Sequence, residues 1–236
     1  MWWINGLARI VIPAPVTSGP MIYMASWSPG GDPAQRLVLD PWSVALSKWD
    51  KNHDGKLAKA EIDDREVLDR FNRMDLDQDG LLDQQEWEHH AVFFRRAQNA
   101  VLAIKPSGRG ELGESAVVWK YGRGVPYVAT PVLDHGIFWM VKDGGMVSKL
   151  DVASGRLLHE ERLPASGNYF ASPVSGDGKV YFCSESGTVS IVAAAPDWRL
   201  ISSRSFHEKI YATPALDANR LYLRTEKAMY CFRGGG

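Results

Sequence analysis

Cysteine is nearly absent: the chain has two in 236 residues, Cys183 and Cys231, far apart and each inside an apolar run. That excludes a disulfide framework or a cysteine metal site and predicts two buried free thiols. Net charge is nearly absent too, since 27 Lys and Arg against 28 Asp and Glu leave a formal −1. Such a chain has no overall field to draw nucleic acid or an anionic membrane, so no nucleic-acid partner is expected. No apolar run reaches the roughly 20 residues of a membrane span. The opening "MWWINGLARIVIPAPV" is apolar, yet it lacks the basic start, unbroken apolar stretch and small-residue cleavage site of a signal peptide. The expectation is a cytoplasmic protein or a piece of a longer chain whose export signal lies outside this one. Also missing are G-x-S-x-G, a Walker loop, H-E-x-x-H, and G-x-G-x-x-G in a strand–helix setting. The expectation is therefore a non-enzymatic protein.

What the chain does have is aromatic side chains and a repeat. Nine Trp, eight Tyr and eight Phe recur inside strand-like segments, which suits a sheet-rich core. Three segments align: "YVATPVLDHGIFWMVKDGGMVSKLDVASGRLL", "YFASPVSGDGKVYFCSESGTVSIVAAAPDWRL" and "YATPALDANRLYLRTEKAMYCF". Their anchoring prolines, Pro131, Pro173 and Pro214, are spaced by 42 and then 41 residues, a propeller-blade period. Each unit reads as a short strand, a tight turn ("DHG", "GDG", "DAN"), an aromatic strand, a second turn and a third strand. A complete unit adds a fourth. The predicted fold is mainly β, a β-propeller of four-stranded antiparallel blades, about four of them in this chain.

The N-terminus continues the pattern. Trp3 stands three residues before Gly6 and twelve before Pro15, as Trp119 stands three before Gly122 and twelve before Pro131. "PVTSGPMIYMASW" supplies the first two strands of a blade, and "NAVLAIKP" with "ESAVVWKYG" the last two. Residues 28–97 are then an insertion in one blade's hairpin, and residues 1–27 with 98–236 form the propeller. The last unit stops after its third strand, and the segment "WWIN" is expected to complete it.

The insertion carries two twelve-residue loops with the ligand spacing of a calcium site, which takes hard oxygens from positions 1, 3, 5, 7, 9 and 12 around a glycine at 6. "DKNHDGKLAKAE" offers Asp50, Asn52, Asp54, the carbonyl of Lys56 and Glu61, with Ala58 leaving position 9 without a side chain. "DLDQDGLLDQQE" offers Asp75, Asp77, Asp79, the carbonyl of Leu81, Asp83 and Glu86. Two matches in tandem, glycine and glutamate in register, are a specific signal for two bound calcium ions. Leu57 and Leu82, at position 8 of each loop, are placed to join the loops by a short β-bridge. His89 and His90 are adjacent on a helix and point apart, which predicts surface histidines and not a zinc site. His135 and His159 are expected in a turn and a strand without partners. Trp87, Val92 and Phe93 either dock the insertion on the propeller or close its own core.

The insertion resembles a pair of EF-hands, helical modules that bind calcium. Only "IDDREVLDRFNRM" separates its loops, less than that family's usual helix–linker–helix. The blades, with "ATPV", "ASPV" and "ATPA" leading to an aromatic strand and then "DGG" or "ESG", resemble the pyrroloquinoline-quinone-like repeat family. That resemblance implies a periplasmic or extracellular location, and together with the calcium loops it leaves three functional possibilities. One is a scaffold binding a protein or small-molecule ligand at a propeller face or channel, with calcium chiefly structural. The others are a quinone-dependent oxidoreductase and a calcium-dependent sensor of a partner. The family's dehydrogenases are similar to one another in an adjacent cysteine pair and in quinone ligands, none of which this sequence matches, so the quinone cofactor is not carried over. A family blade count commonly of eight implies a homodimer or a longer propeller.

Overall fold

The computed structural model describes residues 1–8, 11–28, 38–96 and 98–234, with side chains throughout except at residues 93–96. The chain divides into two compact units, Met1–Ser28 with Asn99–Gly236, and Pro29–Gln98.

In the first unit, turn chemistry sets the strands. His135 with Gly136, and Asp177 with Gly178, hold positive φ at both turn positions, the backbone whose twist suits a two-residue hairpin. Blade 1 is built of β2 (Val16–Ser18), β3 (Met21–Ser26), β6 (Ala100–Ile104) and β8 (Val117–Tyr121). Blade 2 is β9 (Val132–Asp134), β10 (Ile137–Lys142), β11 (Met146–Asp151) and β12 (Leu157–Arg162). Blade 3 is β13 (Val174–Gly176), β14 (Lys179–Cys183), β15 (Thr188–Ala193) and β16 (Leu200–Ser205). Blade 4 has three strands among the described residues, β17 (Ala215–Asp217), β18 (Arg220–Arg224) and β19 (Met229–Arg233). Neighbouring strands in every blade are antiparallel. The unit is thus mainly β, with the four-stranded antiparallel blades of a propeller.

One expectation fails. The segment "WWIN" does not complete blade 4; β1 (Trp2–Trp3) pairs in parallel with β7 (Gly110–Glu111). Two backbone donors capture it there, Gly110 N–H reaching Met1 O at 3.0 Å and Leu112 N–H reaching Trp3 O at 2.8 Å.

A hydroxyl ladder links the blades where each begins. Ala14 N–H donates to Thr130 Oγ1 (2.9 Å), Thr130 N–H to Ser172 Oγ (2.9 Å), and Ser172 N–H to Thr213 Oγ1 (3.1 Å). Each donor precedes the anchoring proline of its repeat, and a residue before proline is held extended. Its N–H is thereby free to bond the next blade.

Between blades, one cross-strand row is covered by the following blade's third-to-fourth-strand turn. Blade 1 presents Tyr23, Ala103 and Trp119 in register. The Trp119 indole N–H donates to Val152 O at 2.9 Å, and its ring lies against Gly155, where an added Cβ would come within 2.5 Å of it. Blade 2 presents Trp139, Lys149 and His159. The Lys149 ammonium, fully buried, donates to the carbonyls of Ala195 (2.7 Å) and Pro196 (2.5 Å) and sits 4.7 Å over the Trp139 ring. Burial pulls its pKa down, and Asp197 opposes that. His159 stacks on Trp198 at 5.4 Å, so this histidine has a partner after all. His135 has one too, its Nδ1 lying 3.0 Å from Asp134 Oδ2, and the hydrogen bond raises its pKa.

The second unit contains α1 (Trp42–Trp49), β4 (Leu57–Ala58), α2 (Arg65–Leu68), α3 (Phe71–Met74), β5 (Leu81–Leu82) and α4 (Gln84–Arg96). Trp42, Ala45 and Trp49 fall on one face of α1 and are buried, the spacing of an amphipathic helix. Asp64 caps α2, accepting from Glu66 N–H and Val67 N–H, as short polar side chains do at a helix start. Leu57 pairs with Leu82 in the bridge of β4 and β5. Both leucines are fully buried with Val67, Phe71, Met74 and Trp87, and full burial of such side chains contributes about 1.5–3 kcal/mol each. Trp87 therefore closes the unit's own core, its indole N–H donating to Asp40 O at 2.8 Å. Val92 is 38% exposed, and the Phe93 side chain lies outside the described residues.

Candidate functional site

The two loops are built alike. In each, the position-1 aspartate accepts the N–H of the glycine at position 6: Asp50 Oδ2 from Gly55 and Asp75 Oδ2 from Gly80, both at 3.0 Å. Gly55 and Gly80 hold φ of 78° and 83°, a left-handed conformation that side chains disfavour and glycine adopts freely. The position-12 glutamate folds back over the loop. Glu61 accepts from Lys51 N–H (3.1 Å) and Ala58 N–H (2.8 Å), Glu86 from Leu76 N–H (2.6 Å) and Asp83 N–H (3.2 Å). Both glutamates are buried.

In each loop the position-3 side chain accepts the position-5 N–H, Asn52 Oδ1 from Asp54 at 2.9 Å and Asp77 Oδ1 from Asp79 at 3.1 Å, and the position-5 carboxylate accepts the position-7 N–H, Asp54 Oδ1 from Lys56 and Asp79 Oδ1 from Leu81, both at 2.8 Å. Beyond this shared frame the loops differ. In the first, Asn52 Nδ2 donates to Asp54 Oδ2 at 2.8 Å. In the second, carboxylate oxygens of Asp75, Asp77 and Glu86 lie within 4.8 Å of one another, the one such group of three among the described residues. Asp75 Oδ1 is buried with no hydrogen-bond partner. An orphaned buried carboxylate oxygen is costly unless something satisfies it. These donors fit a hard cation: anionic oxygens, one unpaired and turned inward.

Two of the expected ligands are engaged elsewhere. Asp79 Oδ2 meets the Lys56 ammonium at 2.9 Å, which with the Leu81 N–H holds its carboxyl below the usual carboxylate range. Asp83 Oδ1 accepts Glu86 N–H at 2.9 Å. With Glu86 reaching back to Asp83 N–H, this forms the reciprocal capping box that starts α4. Sequence spacing missed the Lys56 contact because it joins residues 23 apart through a flexible side chain. The histidine expectation needs correction: His90 is buried and His89 exposed. His90 lies three residues from Trp87, on the face that packs inward.

The first unit offers a groove of about 740 Å³ between blades 3 and 4, lined by Tyr181, Ile191, Ile201, Leu216, Leu221 and Phe232 among others. Arg204 and Arg233 also line it. Of the thiols, Cys183 is buried and Cys231 exposed, so only the first matches expectation. Burial pushes the Cys183 thiol up to about 12.

No family model matches the chain, and no curated protein matches it by sequence. Solved structures similar to it include BamB from Moraxella catarrhalis, at 16% identity and a TM-score of 0.46, spanning 57% of this chain and 40% of that one. The quinohemoprotein alcohol dehydrogenase ADHIIG from Pseudomonas putida HK5 is similar at 14% identity and a TM-score of 0.44, spanning 53% of this chain and 25% of that one. The chain thus covers less than half the length of either. Among the described residues no helix is long and apolar enough to cross a membrane.

Proposed function

We propose that this protein is an extracytoplasmic, non-enzymatic propeller scaffold whose inserted EF-hand-like unit binds two calcium ions for structural purposes. The propeller's role is to bind a protein or small-molecule ligand on a blade face or in its channel. The observation that carries the calcium reading is the buried Asp75 Oδ1 without a partner, gathered with Asp77 and Glu86. Asp75, Asp77, Asp79, Asp83 and Glu86 with the Leu81 carbonyl would hold one ion. Asp50, Asn52, Asp54 and Glu61 with the Lys56 carbonyl would hold the other. A bound calcium ion supplies charge neutralisation and a rigid crosslink between loop and helix.

A structural role is favoured over a switch by the geometry of the unit. A sensor opens a helix pair to expose an apolar groove. Here α2 and α3 have four residues each, and Leu57, Leu82 and Trp87 are fully buried already. Titration calorimetry tests the proposal: heat of calcium binding is expected in the native chain and is lost at the second loop in Asp75→Asn with Glu86→Gln. Calcium at about a hundred times its Kd would add about 2.7 kcal/mol to the stability of the unit. No heat, and a melting curve indifferent to calcium, would sink it. A calcium-dependent rise in binding of a hydrophobic dye would replace the structural role with a sensing one.

A further inference from the structure

We infer that Asn99 is a stop that lets the inserted unit unfold and refold while blade 1 stays closed. This holds whether or not calcium binds, because every group involved lies at the root of the insertion in blade 1.

The β3–β6 ladder runs from the pair of Ile22 with Ile104 to the pair of Ser26 with Ala100. Beyond that last pair the chain leaves for the insertion, and the Asn99 side chain supplies one more rung. Its Oδ1 accepts the Ser28 N–H at 2.8 Å, and its Nδ2 donates to the Ser28 carbonyl at 3.1 Å. A carboxamide carries the same donor and acceptor as a peptide group, so Asn99 acts here as the backbone of a neighbouring strand would. Its orientation is fixed, since the Ser28 N–H can only donate and therefore faces the oxygen. Ser28 is 2% exposed and Asn99 7%, and backbone groups buried to that extent are costly to leave unpaired.

The flanking residues are anchored too, by partners in the same unit. Ser26 is fully buried and its Oγ accepts the Ala8 N–H at 2.5 Å. Trp27 packs on the core of Tyr23, Val101 and Trp119, and its ring meets Tyr127 edge-on at 4.9 Å. The boundary between the two compact units falls at the clamp, with Ser28 and Asn99 as the propeller residues on either side of it.

The inserted unit has a core built of its own residues, between Trp42 and Trp87, and so it has a cooperative structure to lose by itself. Once unfolded, residues 29–98 are a loop closing the β3–β6 hairpin, and the entropy of closing a loop rises only with the logarithm of its length. The five pairs of that ladder withstand such a loop as long as their end does not fray. Fraying starts at a terminal pair, which has a neighbour on one side only. Asn99 sits at that place, so an opening that begins in the insertion meets a buried, satisfied pair before it reaches β3 and β6. The propeller thereby holds its shape through loss and recovery of the inserted fold.

Hydrogen exchange of the full chain, read by mass spectrometry, tests this. Leu82 is fully buried in the inserted core, and Leu82→Ala is expected to speed exchange across that unit about thirtyfold or more, while the β3 and β6 amides keep their native rates. Adding Asn99→Ala is expected to let the opening through, so that β3 and β6 exchange faster along with the inserted unit. Asn99→Ala alone, with the inserted core intact, is expected to leave both strands protected. Faster exchange of β3 and β6 in Leu82→Ala alone would show blade 1 leaning on the insertion, and would overturn the inference. Strands that stay protected in the double variant would overturn it as well. So would strands that lose protection in Asn99→Ala alone, since Asn99 would then be a support of the blade and not a stop. All samples are measured in the same excess of calcium, so a failure of the calcium reading changes none of these comparisons.

Discussion

The Lys56 ammonium lies 2.9 Å from Asp79 Oδ2, so a side chain from the seventh position of one loop occupies a carboxylate at the fifth position of the other. Bound calcium in the second loop has to compete with that ammonium for Asp79. Lys56→Met keeps the backbone carbonyl that the first loop uses and removes the competing charge. It is expected to tighten calcium binding at the second loop a few-fold, read by calorimetry. The gain should shrink in high salt, because exposed charges are screened.

The contact between Trp119 and Gly155 sets a second expectation. Gly155 has a φ of 68°, and a Cβ there would meet the indole at 2.5 Å. Gly155→Ala combines overpacking with an unfavourable backbone, and is expected to cost about 1–3 kcal/mol. The melting temperature reports it, and Trp119 fluorescence reports the displaced ring.

Ser172 accepts the Thr130 N–H and passes its own N–H to Thr213. Ser172→Ala removes only the first bond and leaves a partly buried donor unpaired. The expected loss is about 1–3 kcal/mol by denaturant unfolding. Ser172→Thr keeps the hydroxyl and is expected to restore most of it.

The thiols should separate cleanly. Cys231 is exposed and is expected to react with a disulfide reagent at once, whereas Cys183 reacts only in denaturant. Burial raises the folded-state pKa of Cys183 to about 12, against about 8.5 in an unfolded chain. Its contribution to stability is therefore complete below about pH 8.5 and is lost progressively as pH rises toward 12. In Cys183→Ala that loss of stability above pH 8.5 should be smaller than in the native chain.

Much of this was legible in residues with fixed jobs. The prolines at Pro131, Pro173 and Pro214 mark the repeat because each stands immediately before the first strand of its blade, which begins at Val132, Val174 and Ala215. The loop glycines Gly55 and Gly80 mark the turns because only glycine takes that backbone easily. What spacing does not carry is the reach of long side chains and the choice among possible partners. Lys149 bonding two carbonyls 46 and 47 residues away, His90 turning inward, and β1 settling on β7 all depend on tertiary packing. Cys231 is apolar in context yet exposed, because β19 has no strand beyond it among the described residues.

The rows between blades also give the repeats an identity. Trp119 of blade 1 rests on a turn that supplies Gly155, while the smaller His159 of blade 2 rests on one that supplies Trp198. Large meets small in one pair, and small meets large in the next. Were blade 3 to follow blade 1, Trp119 would face Trp198 and find no room. Were His159 to face Gly155, it would leave a void. The turn that seats one blade's row therefore does not serve for the next, although the strands around it are near-copies.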